Sequence, residues 1–89
     1  MVILALPNHS TMTESLKKIL KTLEGAESEI VLPKLYEEND NARSAKNRRL
    51  AQDLNNLIFF LSNPGIKPGG VKQEDLEAYQ KFKESIKSN

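Results

Sequence analysis

The sequence predicts an all-α fold, a small antiparallel four-helix bundle with one short helix and an apolar N-terminal arm. Apolar residues recur at three- and four-residue spacing in three long stretches. Turn-forming residues separate the stretches at Gly25, at residues 39–41 and at residues 63–70. The 89 residues make a single domain, and short connections between successive helices favour antiparallel neighbours.

The N-terminal arm, residues 1–10, begins with the apolar run MVILAL, which Pro7 and Asn8 end. A strand, a hydrophobic arm over the bundle and a consequence of the translation start remain alternatives for this run. The run is too short to span a membrane and lacks the basic residues of a secretory signal. We therefore expect a cytoplasmic protein without a membrane span.

Helix 1 is predicted over residues 12–24. Thr11 and Glu14 have the spacing of a capping box, in which each side chain binds a free amide at the helix start. Gly25 is a suitable terminator. The apolar stripe of this helix consists of Met12, Leu16, Ile19, Leu20 and Leu23.

A short helix 2 is predicted over residues 29–38, although residues 28–35 leave helix and strand open. Ile30 and Val31 favour a strand, whereas Leu35 and the acidic residues after it favour a helix. Pro33 is harmless in the first turn of a helix and harmful in a central strand, which favours the helix. The competing arrangement would pair this segment with MVILAL in a two-stranded sheet, which would be marginally stable.

Helix 3 is predicted over residues 41–62, because the Asn-Asp-Asn cluster at 39–41 suits a turn followed by an N-cap. Its apolar stripe consists of Leu50, Leu54, Leu57, Ile58 and Leu61. Continued backwards, the same face meets Arg43, Lys46 and Asn47. The first half of this helix is therefore expected to project past the bundle or to contact something other than its own core.

Helix 4 is predicted over residues 73–87, after a connection rich in proline and glycine. Glu74 and Asp75 suit its first turn, and Lys83 and Lys87 suit its last. Its apolar stripe consists of Leu76, Tyr79, Phe82 and Ile86.

The residue inventory predicts a protein that is not an enzyme and has no cofactor, catalytic residues or metal site. The chain contains no cysteine, which excludes thiolate metal ligands and a catalytic cysteine. Its one histidine, His9, lies in a polar loop, where a structural or solvent-exposed role is favoured. The acidic residues Glu37, Glu38 and Asp40 lack the spacing of a calcium loop and suit a solvated helix end.

Four cations between residues 43 and 49 form the candidate partner-binding surface: Arg43, Lys46, Arg48 and Arg49. The net charge of the whole chain is only +1, which does not favour bulk attraction to nucleic acid. A solvated face or a protein partner with acidic residues is therefore the favoured interpretation, and a nucleic-acid-binding regulator that uses the same cations is the alternative. Self-association remains open.

Phe59 is the last candidate for partner binding. It lies opposite the apolar stripe of helix 3, where an exposed aromatic residue would be a natural anchor for a protein partner. The other interpretation, slightly favoured for a central helix, is that helix 1 or the N-terminal arm covers it.

The second half of the chain resembles the small immunity proteins that protect bacteriocin producers. The resemblance lies in Arg49-Leu50, Asp53-Leu54 and Ile58, followed by a turn and a closing helix that ends with FKESI at residues 82–86. It implies an antiparallel four-helix bundle in the cytoplasm, without enzymatic activity. It further implies binding to a sugar-transporter receptor complex from inside the cell, with the C-terminal half providing specificity.

Overall fold

The computed structural model describes residues 12–87, which form four α-helices and no strand. The helices are α1 (Glu14–Leu23), α2 (Ser28–Ser44), α3 (Arg48–Ser62) and α4 (Gln73–Ser85). The predicted all-α class is confirmed. The predicted N-terminal arm, including His9, and the predicted capping residue Thr11 lie outside the described residues.

Helix α1 begins two residues later than predicted, and its N-cap is Thr13. The Thr13 side chain accepts a hydrogen bond from the Leu16 amide at 3.2 Å. Position N3, where a capping box needs Glu or Gln, is therefore occupied by Leu16, and the predicted capping box is wrong. Glu14 instead lies in the first turn, where its charge favours the helix dipole.

Helix α2 is the longest helix of the described chain, so the prediction of a short helix 2 is wrong. Residues 28–31 are helical, which decides against a strand, and Pro33 lies inside the helix on its exposed side. The helix also continues through residues 39–41, where a turn was predicted. Asn39 is buried there, and its Nδ2 donates to the Ala51 carbonyl at 3.0 Å and to Asn55 Oδ1 at 3.2 Å. These contacts with α3 outweigh the weak helix propensity of asparagine.

Helices α2 and α3 form an antiparallel hairpin with a connection of only three residues, 45–47. Asn39 contacts Ala51 and Asn55, and Leu32 and Leu61 line one cavity several turns further from the connection. In these contacts, earlier residues of α2 lie beside later residues of α3, as in an antiparallel pair. The two helices therefore remain side by side along their length. This geometry is that of an αα-hairpin.

The beginnings of α1 and α4 lie together, and so do their ends. Met12 and Asp75 line one concave surface near the two beginnings. At the other end, the Gly25 amide donates to Ser85 Oγ at 3.2 Å. The two helices therefore run in the same direction. The α3–α4 connection, residues 63–72, is long enough to return the chain across the bundle, whereas the two shorter connections reverse it.

The chain after α4 is held against the α1–α2 connection by two backbone hydrogen bonds. The Lys87 amide donates to the Ala26 carbonyl at 2.9 Å, and the Ser28 amide donates to the Lys87 carbonyl at 2.8 Å. These bonds end α4 at Ser85, two residues before the predicted end.

The hydrophobic core lies between the four helices. Phe60 of α3 packs beside Tyr79 of α4, with ring centroids 5.8 Å apart and ring planes at 56°. Lys83 Nζ lies 5.8 Å from the centroid of the Phe60 ring. The buried apolar residues are Met12, Leu16, Leu23, Val31, Leu35, Ala42, Leu50, Ala51, Leu54, Leu57, Ile58, Tyr79 and Phe82. None of the helices in residues 12–87 combines the length and apolar character that a membrane crossing requires.

Candidate functional site

The four predicted cations lie around the α2–α3 connection and not along the first half of one helix. Arg43 lies in the last turn of α2, Lys46 lies in the connection, and Arg48 and Arg49 begin α3. The prediction of a single helix over residues 41–62 is wrong, because the chain reverses at residues 45–47. This reversal places side chains from both helices around one surface.

The connection has the hydrogen bonds of a Schellman motif, with Lys46 at the position that usually holds glycine. The Asn47 amide donates to the Ala42 carbonyl at 2.8 Å, and the Lys46 amide donates to the Arg43 carbonyl at 3.0 Å. Lys46 has a φ of 60°, in the left-handed region. This conformation costs a residue with a side chain about 1 kcal/mol. Lys46 thus occupies a position where glycine would be more stable.

A concave surface of about 350 Å³ lies at this connection, and we call it the cationic pocket. It is lined by Arg43, Lys46, Asn47, Arg48 and Ala51. No acidic side chain of residues 12–87 lines it. The ion pairs of Lys17 with Glu14 and of Lys34 with Glu37 and Glu38 lie elsewhere, on α1 and in the middle of α2. Three cations therefore face one concave surface without a carboxylate between them.

The first turn of α3 strengthens the positive potential of this pocket. The other three helices of the described chain carry acidic residues in their first turns, as the helix dipole favours. The first turn of α3 contains no acidic residue and holds Arg48 and Arg49 instead. The two arginines add their charge to the positive end of the dipole, which disfavours the helix and favours an anion.

The cationic pocket can bind, but its lining offers little for catalysis. It contains guanidinium, ammonium and amide groups, and no carboxylate, imidazole or hydroxyl. Such groups hold oxyanions by charge-assisted hydrogen bonds, and arginine can do so with two parallel donors.

Phe59 is exposed, with 41% of its surface accessible, so the interpretation in which helix 1 covers it is wrong. It lies on the same side of α3 as Arg48, because eleven residues make three helical turns, and about 16 Å further along the axis. Exposed residues continue along this side between and beyond the two: Gln52, Asn55 and Ser62. We call this surface the outer face of α3.

The middle of the outer face is neutral and ordered by side-chain hydrogen bonds. Gln52 Nε2 donates to Asn56 Oδ1 at 3.1 Å, and Asn55 Oδ1 accepts from the buried Asn39. The outer face thus has a cationic end, a neutral polar middle and an aromatic end.

A buried polar cluster lies on the opposite side of α3, and sequence analysis did not identify it. Asp53 Oδ2 accepts a hydrogen bond from the Thr13 amide at 2.8 Å, which joins the beginning of α1 to the middle of α3. Burial, followed by the charges of Asp53 and Asp75, raises the pKa of Tyr79 far above its ordinary value. Asp53 and Asp75 are buried themselves. The spacing of Asp53 within the apolar stripe of α3 was the one signal in the sequence for this cluster.

Two residues of the acidic run in α2, Glu37 and Glu38, pair with one cation of the same helix, Lys34. Lys34 Nζ lies 3.0 Å from Glu37 Oε1 and 3.7 Å from Glu38 Oε2. The pKa of Lys34 is raised, mainly by its hydrogen bond to Glu37 and by the charge of that residue. A helix end was predicted for this run, but the run lies inside α2. Residues 12–87 contain no group of three or more side chains suited to hold a metal ion.

A larger concave surface, about 550 Å³, lies between α1 and α4. Its floor is partly apolar, with Leu20 and Phe82, and its rim carries both signs of charge, with Lys21 and Glu74 among the lining residues. The mixed rim favours no particular class of ligand, in contrast to the cationic pocket.

Comparison with known proteins identifies no relative of this chain. The chain matches no protein family, no curated protein and no solved structure.

Proposed function

We propose that this chain is a non-enzymatic protein-binding domain whose partner contacts the cationic pocket and the outer face of α3. The observation that carries the proposal is the convergence of Arg43, Lys46 and Arg48 around one concave surface without an acidic residue in its lining. Arg49 adds a fourth charge beside it. Phe59 supplies an exposed aromatic anchor on the same side of α3.

The partner is expected to present an acidic segment. Opposite charges across an interface accelerate encounter and fix the orientation of the two proteins. The aromatic end of the outer face would add the apolar contact that charge pairs alone rarely provide, because exposed pairs contribute little net free energy.

The hairpin geometry supports a protein partner over DNA. A helix-turn-helix motif crosses its two helices at about 90–120° so that the second can enter the major groove. Helices α2 and α3 have a similarly short connection, but they run antiparallel along their length. The charge of these cations suits contacts with nucleic-acid phosphates, but the geometry of the two helices does not. The nucleic-acid alternative is therefore tested together with the main proposal.

The experiment compares the variant Arg48→Glu/Arg49→Glu with the control Lys67→Glu/Lys72→Glu. Both change the net charge equally, and the control residues are exposed in the α3–α4 connection. Each purified variant is used to capture proteins from a lysate of the native host, and the captured proteins are identified by mass spectrometry. We expect the first variant to lose a partner that the wild type and the control retain, with helical circular dichroism unchanged.

Equal capture by both variants would contradict the proposed surface. Retardation of duplex DNA by the wild type, with an affinity that falls steeply as salt increases, would favour the nucleic-acid alternative instead.

Within this proposal, the resemblance of the second half of the chain suggests a finer role, immunity to a bacteriocin through binding in the cytoplasm. The test is expression of the chain in a bacteriocin-sensitive strain. Survival of the expressing strain would support the role, and survival that requires Arg48 would connect it to the cationic pocket. Killing equal to that of the empty strain would contradict it.

A further inference from the structure

We infer that the cationic pocket binds a phosphate monoester group. This inference rests on the proposed function, because the group would be carried by the segment of the partner that reaches the pocket. It adds the chemical class of the ligand, a tetrahedral oxyanion with two negative charges.

The first argument is the number and type of charges. A single carboxylate would leave at least two of the three lining cations uncompensated, whereas a phosphate monoester carries nearly two charges at neutral pH. Arg43 and Arg48 offer planar forks of donors that match phosphate oxygens, and Lys46 offers a compact point charge. A phosphodiester carries only one charge per phosphate and suits the pocket less well.

The second argument is the position of the pocket at the beginning of the 15-residue helix α3. The positive end of the helix dipole and its first amides favour an anion at this place. The Asn47 side chain accepts a hydrogen bond from the Leu50 amide at 3.2 Å and orders the first turn beside the pocket.

The third argument is that two residues of the pocket oppose local stability. Lys46 occupies a left-handed position that favours glycine, and Arg48 occupies a first turn that favours an acid. Both departures bring a cation to the same concave surface. Residues that reduce stability together at one place are typical of a binding site.

The position of Phe59 defines the spacing that a peptide ligand needs. Its distance of about 16 Å from Arg48 along the helix axis corresponds to about five residues of extended chain. A peptide with phosphoserine five residues from leucine could therefore place the phosphate at the pocket and the leucine side chain at Phe59.

The experiment titrates ¹⁵N-labelled protein with four probes at constant ionic strength and follows the backbone amides by NMR. The probes are inorganic phosphate, a peptide with phosphoserine five residues from leucine, and the same peptide with serine or glutamate in place of phosphoserine. We expect inorganic phosphate and the phosphopeptide to shift the amides of residues 45–49. The phosphopeptide should bind at least about tenfold more tightly than the serine and glutamate peptides.

Variants then test the individual residues. Arg43→Gln and Arg48→Gln should each weaken phosphopeptide binding about tenfold, whereas the control Lys67→Gln should not. Lys46→Gly should weaken binding while raising the melting temperature by about 4 °C, because glycine suits the left-handed position. Lys46→Arg should retain binding.

The outcomes separate this inference from the proposed function. Equal affinity of inorganic phosphate and phosphopeptide would support the phosphate site and assign it to a free phosphate compound. Glutamate and phosphoserine peptides of equal affinity, both dependent on Arg48, would overturn the phosphate inference and leave an acidic protein partner in place. Absence of shifts at residues 45–49 with every probe would overturn the inference. A short DNA duplex, titrated in the same way as a further probe, would also overturn it by binding more tightly than the phosphopeptide.

Discussion

Helices α1 and α3 begin with capping hydrogen bonds of equal length and with opposite charges. The side chains of Thr13 before α1 and Asn47 before α3 each accept a hydrogen bond from the amide three residues later. The donor–acceptor distance is 3.2 Å in both cases. The next residue is Glu14 in α1 and Arg48 in α3. In addition, the Thr13 amide donates to Asp53 of α3, whereas the beginning of α3 faces the cationic pocket.

The two helix beginnings share a capping hydrogen bond of equal length but differ in the charges beside it. At the beginning of α1, acidic side chains of the chain itself, Glu14 and Asp53, lie near the positive end of the helix dipole and compensate it. The first turn of α3 holds Arg48 and Arg49 at the positive end of the dipole, where an anion would be favoured. Capping residues therefore mark where both helices begin, while the charged residues beside the caps differ in sign.

The largest expected effect comes from Asp53 of α3, which accepts a hydrogen bond from the Thr13 amide before α1. Asp53→Ala should lower the free energy of unfolding by about 2 kcal/mol, because it leaves the Thr13 amide without its acceptor in a partly buried site. Urea denaturation followed by circular dichroism measures this change. Asp53→Asn keeps an oxygen acceptor and should cost less. A loss under about 0.5 kcal/mol for Asp53→Ala would show that the contact does not stabilise the beginning of α1.

An intermediate and equal effect is expected for the two caps. Thr13→Ala and Asn47→Ala should each lower the free energy of unfolding by about 1 kcal/mol, because each removes the side-chain acceptor of one capping hydrogen bond, and the two bonds have equal length. The same denaturation measurements compare the two variants. A much larger loss for one variant would indicate that its cap has an additional tertiary role, and would limit the comparison to electrostatics.

The smallest effects are expected from exchanging the charges beside the caps, and they should have opposite signs. Arg48→Glu should stabilise the protein by about 0.5 kcal/mol and Glu14→Arg should destabilise it by a similar amount, because only the first places an anion at the positive end of the dipole. Thermal unfolding at low and high salt measures both, since salt screens the effect. Destabilisation by Arg48→Glu would contradict the view that Arg48 opposes helix stability.

Regular apolar spacing predicted the parts of the fold in which one helical face is buried. Leu16 and Leu23 of α1 and Leu54, Leu57 and Ile58 of α3 are buried as their spacing indicates. Burial of one face selects a helical period in the sequence, so this information is local and can be recognised without a structure.

Local patterns failed where a distant contact outweighed them. Asn39 resembles a turn residue in sequence, but α3 supplies two acceptors for its side chain, and α2 therefore continues to Ser44. Asn47 then caps α3, with the chemistry that was predicted earlier in the chain for the cluster at residues 39–41. Propensity is a weak preference, and a buried hydrogen bond with a partner helix can reverse it.

The candidate site was predicted in composition but not in geometry. The sequence identified Arg43, Lys46, Arg48, Arg49 and Phe59, because cations and an aromatic residue outside the apolar stripes are recognisable from their positions. It could not show that Lys46 adopts a left-handed conformation or that Arg43 and Arg48 belong to different helices.

The sequence by itself determined the all-α class, the apolar faces of α1, α3 and α4, and the cations available for binding. These properties follow from helical periodicity and side-chain chemistry, which are local. Only the tertiary structure decided where α2 ends, which cations share a pocket and that Phe59 is exposed. Those properties depend on which helices lie side by side, and the hydrogen bonds and burial that result join residues far apart in the chain.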